Sequence, residues 1–74
     1  MKIYKVCIEE GKPTIKEYKI QKCVGYKGKT LYMFNDKESI GEWEMDLYLP
    51  QRVVYSLNSR VALKIFERYE PFMF

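Results

Sequence analysis

The sequence predicts an α+β domain: a curved antiparallel sheet of four to five strands, or a small partly open barrel, packed against one C-terminal helix. Three observations carry that expectation. Short runs with two-residue periodicity, separated by turn residues, fill the first fifty-odd positions. A capped segment with apolar residues at helical spacing follows them. The chain has 74 residues, enough for one core and no second domain.

Each element has its own signal. Over 2–9, Tyr4, Val6 and Ile8 share one face, and the run is rich in β-branched and aromatic residues. Glu10-Gly11-Lys12-Pro13 is turn chemistry, with Pro13 at the start of a second strand. That strand runs over 14–24 with Tyr18, Ile20 and Val24 on one face. Ile15 falls on the other, so a bulge or strong twist is expected near Lys16 and Glu17. Tyr26-Lys27-Gly28-Lys29 reads as a second hairpin turn. The strand at 29–35 is apolar on both faces through Leu31, Tyr32, Met33 and Phe34, which makes it central or leaves one face for a partner.

A polar loop is expected over 35–41, followed by the clearest alternation in the chain. Over 42–49, Trp43, Met45, Leu47 and Leu49 alternate with Glu42, Glu44, Asp46 and Tyr48, the pattern of a half-buried strand. Pro50 ends it, and 52–56 adds a short fifth strand through Val53 and Tyr55. Asn58 is an N-cap for a helix over 59–70, with Leu57 before it as a staple for Ala62. Val61, Ala62, Ile65, Phe66 and Tyr69 form its apolar stripe, and Glu70-Pro71 stops it. The stripe is expected to lie over Trp43, Met45 and Leu47. An apolar tail, 71–74, ends the chain.

Composition excludes several classes. The chain is 47% hydrophobic and 31% charged, a mixture that argues against disorder. No run approaches the roughly 20 apolar residues of a spanning helix, and the N-terminus lacks the apolar stretch of a signal peptide. A cytoplasmic protein is expected. Cys7 and Cys23 fit no metal spacing. With the turn as read, Cys7 pairs near Lys16, and Cys23 lies about seven residues or 23 Å beyond at about 3.3 Å per residue. A disulfide needs α-carbons within about 7 Å, so both read as reduced thiols. The chain has no histidine and no phosphate-cradling glycine loop. The reading is therefore a non-enzyme with no cofactor and no metal.

Charge is unevenly distributed within a net +3. Residues 1–29 hold eight lysines against Glu9, Glu10 and Glu17. Lys16, Lys19, Lys22, Lys27 and Lys29, interleaved with Tyr4, Tyr18 and Tyr26, could neutralise phosphates and stack bases. Lysine on an edge strand also blocks aggregation. On the helix, Arg60, Lys64 and Arg68 form a like-charged stripe that does not help the helix fold, which suits an anionic partner. Glu42, Glu44 and Asp46 are expected on one wet strand face, as a docking patch for a protein. Phe72, Met73 and Phe74 either fold back over the sheet or dock on another chain, a homodimer included.

The element order, antiparallel strands and then a helix, resembles the single-strand DNA-binding fold of some transcriptional coactivators. That resemblance implies a dimer with basic strands. The leading expectation is a small non-enzymatic interaction protein, an adaptor or inhibitor of the kind small mobile elements encode, that docks on another protein. The alternative is a sequence-tolerant nucleic-acid binder using the lysine hairpin and the helix stripe.

Overall fold

The computed structural model of the chain describes residues 1–34 and 38–70. Seven strands and one helix follow in order: β1 (Lys2–Glu9), β2 (Lys12–Lys19), β3 (Gln21–Val24), β4 (Thr30–Phe34), β5 (Glu38–Gly41), β6 (Tyr48–Leu49), β7 (Val53–Ser56) and α1 (Ser59–Tyr69). The fold is α+β, as the periodicities predict, but its strands divide between two antiparallel sheets. The first has the order β2-β1-β7-β6 and the second β3-β4-β5, and they do not close into a barrel.

The β1–β2 turn is tighter than expected. Glu9 pairs with Lys12, leaving only Glu10 and Gly11 in the turn, both at positive φ (53° and 76°). This is the two-residue hairpin geometry whose twist matches that of the strands. It moves the register by two, so Cys7 faces Thr14 and not Lys16. Pro13 sits inside β2, where it is tolerated because β2 is an edge strand. The expected strand over 14–24 is instead two strands bent at Ile20, one in each sheet. The Ile20 N–H donates to the Met1 carbonyl (2.9 Å) at the corner. No bulge is needed for Ile15: it pairs with Val6 on the helix side of the first sheet, while Tyr18 pairs with Ile3 on the other side.

Both faces of β1 are therefore used. Val6, with Val54, Ala62 and Phe66, forms a fully buried cluster between the first sheet and α1. Ile3, with Ile20, Tyr32, Phe34 and Ile40, forms the core between the two sheets. Three layers result: helix, first sheet, second sheet. Burial of each large apolar side chain stabilises this arrangement by about 1.5–3 kcal/mol.

The segment with the strictest alternation departs most from expectation. Glu38–Gly41, expected in a loop, is the strand β5, whereas Glu42–Glu44 is a 3-10 turn and of 42–49 only Tyr48–Leu49 forms a strand. Trp43 and Leu47 stay 54% and 51% exposed. One local bond offers the backbone an alternative to a strand, the Glu44 carboxylate accepting from the Gly41 N–H (3.1 Å), and Asp46 then takes positive φ (58°) with its N–H donating across to the Tyr55 carbonyl of β7 (2.8 Å). Gly41 also lets the indole approach, since a β-carbon there would lie 2.4 Å from the Trp43 ring. Consequently α1 does not cover Trp43, Met45 and Leu47. It packs on β1, β7 and β6.

Other elements follow the sequence closely. β4 is the central strand of its sheet, with Tyr32 and Phe34 buried. The Asn58 side chain caps α1, accepting from the N–H groups of Arg60 (2.9 Å) and Val61 (3.2 Å). Leu57 remains exposed and is not buried as a staple. β7, expected only as a short addition, is the interior strand between β1 and β6, with Val53, Val54 and Ser56 buried. Both cysteines are free thiols. The expectations for Phe72, Met73 and Phe74 lie outside the described residues.

Candidate docking surfaces

The layers decide where each charged side chain goes. The register puts Lys5 and Lys16 on the side of the first sheet that faces the second, and Lys2 and Lys19 on the helix side. Lys22 stands on edge strand β3, opposite Tyr32. Lys27 lies in a short 3-10 turn, and the Lys29 ammonium sits 5.1 Å from the centre of the Trp43 ring. Arg60, Lys64 and Arg68 are exposed on the face of α1 that turns away from Ala62 and Phe66. Among the described residues none of these three makes an ion pair. Lys19 thus lies on the same side of the first sheet as the helix stripe, while Lys16 and Lys22 lie across it, so the candidate cations are divided between the two sides. Lysine and proline do line the free edge at β2 (Lys12, Pro13, Lys16, Lys19), where they oppose strand-to-strand association.

The three acids expected in one row are separated, because their segment turns. Glu44 reaches the space between the sheets. Glu42 and Asp46 line a depression of about 470 Å³ beside the start of α1, together with Tyr32, Met45, Leu57 and Val61. No cationic side chain lines it among the described residues.

Beside the core around Ile3 and Ile20, a groove of about 630 Å³ opens between the two sheets. Phe34, Ile40, Leu49, Val53 and Tyr55 supply its apolar wall, while Lys5, Glu9, Glu38 and Glu44 supply charges of both signs. At its end the Lys16 ammonium pairs with Glu9 (2.5 Å), which holds the Glu9 carboxyl below its ordinary value and raises the Lys16 ammonium. The Lys5 ammonium lies 5.9 Å from the Tyr55 ring centre. Burial raises the pKa of the Cys7 thiol; Lys5 works against this, and Glu9, which accepts the thiol proton at 3.7 Å, adds to it. A thiol so placed is a poor nucleophile near neutral pH.

Sequence reasoning missed one cluster altogether. Glu70, the C-cap residue of α1, receives the Arg52 guanidinium on both oxygens (2.6 and 2.8 Å) and also the Tyr48 hydroxyl. Arg52, then Tyr48, push its pKa down to about 2. The same bonds raise the Tyr48 phenol and the Arg52 guanidinium. A carboxylate at a helix C-terminus opposes the helix dipole, and Arg52 offsets that. Arg52 itself sits at positive φ (63°), the third residue of a three-residue β6–β7 loop. Tyr69 stacks on Tyr48 at 4.8 Å between ring centres. The only trace of this in the sequence is an arginine after Pro50-Gln51, which no spacing rule links to Glu70.

Among the described residues there is no group of three or more metal-ligating side chains, and no helix is long and apolar enough to cross a membrane. Comparison with family models, curated proteins and solved structures gave no match.

Proposed function

We propose that this chain is a small non-enzymatic interaction protein, an adaptor or inhibitor, that docks on another protein through the groove between its two sheets. The groove supports this reading best. It joins an apolar wall of aromatic and branched side chains to a rim bearing both charge signs, which suits an extended polypeptide better than a uniform polyanion. The division of the candidate cations between the two sides of the first sheet supports it as well, since phosphate-backbone binding needs them along one continuous track. The raised pKa of Cys7 speaks against nucleophilic chemistry in the groove.

The test is affinity capture from cell extract with three baits: wild type, Lys5→Glu combined with Glu38→Lys on the groove rim, and Arg68→Glu on the helix. A partner kept by wild type and by the helix variant, but lost from the rim variant, is the expected result. Retention that ignores the rim, or no retained protein, would overturn the reading.

The helix stripe, with Arg60, Lys64 and Arg68 free of ion pairs among the described residues, favours nucleic acid as a second reading. Labelled oligonucleotide anisotropy at about 50 and 200 mM salt separates the two, because phosphate binding weakens steeply over that range.

A further inference from the structure

We infer that a second copy of this chain docks on the flank of α1 that borders the Glu42–Asp46 depression, giving a two-fold dimer with antiparallel helices. The groove takes no part in this surface, so the inference stands apart from the functional reading above.

The argument starts from one helix flank. Val61, Ile65 and Tyr69 recur at four-residue spacing along it, and Val61 and Tyr69 remain 39% and 57% exposed although both are apolar. Leu57 extends the apolar strip past the N-cap and is also exposed. Arg68 lies seven residues after Val61, hence on the same flank two turns away, about 10.5 Å along the axis at 1.5 Å per residue. At the other end of the strip, Val61 and Leu57 form the wall of the depression that carries Glu42 and Asp46. Neither acid has an ion-pair partner among the described residues, and neither has Arg68.

The surface is therefore acidic at one end, apolar in the middle and basic at the other. A two-fold interface requires a patch that complements itself, so that residue i meets j and j meets i. An axis through the middle of the flank, near Ile65, satisfies this. It turns the second helix antiparallel, brings Arg68 of each copy to the acidic depression of the other, and packs the apolar strips together. The depression's apolar lining can receive the aliphatic stem of an arginine while its head reaches the carboxylates. Lys64 lies on the solvent side of the strip, where its charge needs no burial.

Sedimentation velocity from micromolar to millimolar protein tests the inference, with circular dichroism as the check on folding. Wild type is expected to show a concentration-dependent monomer–dimer equilibrium. Arg68→Glu and Glu42→Arg should each weaken dimerisation about tenfold, since two-fold symmetry breaks each exposed contact twice. The combination of the two should restore the wild-type constant. A wild type that stays monomeric throughout would overturn the dimer. Association that neither single change weakens, or that the combined variant fails to restore, would overturn this interface. Val61→Ala, which leaves the charges alone and sits at an exposed position, should also weaken association; an unchanged constant would count against the apolar strip.

Discussion

The two sides of the first sheet are built from the same strands and behave differently. On the helix side, Val6, Val54, Ala62 and Phe66 are all fully buried, and Arg52, Tyr48 and Glu70 tie the end of the helix to the β6–β7 loop. On the other side, the second sheet packs on the first through Ile3, Ile20, Tyr32, Phe34 and Ile40, and a groove opens beside that cluster. One face is closed and stabilising, the other is open and available for contact. The difference comes from what covers each face. The helix lies along three strands at once, whereas the two sheets, joined by the bend at Ile20, leave a groove beside their shared core.

The sharpest way to break this contrast is to make the same change on each side. Phe66→Ala is expected to cost about 3–5 kcal/mol, since the cavity is enclosed on every side. A protein of 74 residues has a total stability of roughly 4–11 kcal/mol, so this variant should be largely unfolded in modest urea. Phe34→Ala removes a side chain whose pocket opens into the groove. Water can fill the space left behind, and the urea midpoint should fall by clearly less than for Phe66→Ala. Equal losses would mean that the groove is as closed as the helix face.

Next in size is the tie at the helix end. The Glu70 pKa is lowered in the folded chain to about 2, from an ordinary value of 4.5. Its contribution to stability is thus complete above about pH 4.5 and is lost as pH falls toward 2. Thermal melts of the wild type should drop through that window, and Glu70→Gln should lower the melting temperature at neutral pH while flattening the acid dependence. If the two proteins lost stability in parallel between those pH values, the tie would not be what stabilises this face.

A smaller effect belongs to the second sheet. Gly41→Ala places a methyl group against the Trp43 ring, but the ring is half exposed and can swing outward. Tryptophan fluorescence should shift to the red, with a stability loss at or below the lower end of the roughly 1–3 kcal/mol typical of overpacking. An unshifted spectrum would mean that the ring does not rest on Gly41. Smallest is the groove thiol. Cys7 should alkylate with a pH midpoint above that of the same thiol in urea, because burial and Glu9 disfavour its thiolate. A midpoint at or below the unfolded value would reopen the groove to nucleophilic chemistry.

Legibility in the sequence followed the range of the interaction. The Asn58 cap, the strand 2–9 and the turn around Gly28 depend on neighbours within a few residues, and all three appear where the local pattern puts them. Ile3 is not legible as core, since its face of β1 also carries Lys5, and only the second sheet makes that face interior at residue 3 and groove at residue 5. Leu49 does lie half buried in a strand, but Trp43 and Leu47 mislead, because period two is necessary for a half-buried strand and not sufficient. The Glu44 carboxylate supplies local hydrogen bonding that turns the chain, and among the described residues, 42–47 form no strand ladder, although the Asp46 N–H reaches the Tyr55 carbonyl of β7. Of the candidate surfaces, the exposed helix stripe was readable from spacing alone. The groove and the Tyr48–Arg52–Glu70 tie were not, since each joins residues far apart in the chain.

What the sequence determined by itself is the α+β class, a strand with apolar residues on both faces at β4, the capped helix and its charged outer face, because each rests on periodicity or on bonds within a turn or two. What only the tertiary structure decided is the division into two sheets at Ile20, the interior position of β7, and which charges converge. Those depend on which strand pairs with which, and on the layer that covers each face. The same alternating pattern can meet a helix, a second sheet or water, and the pairing of strands distant in the chain decides among them.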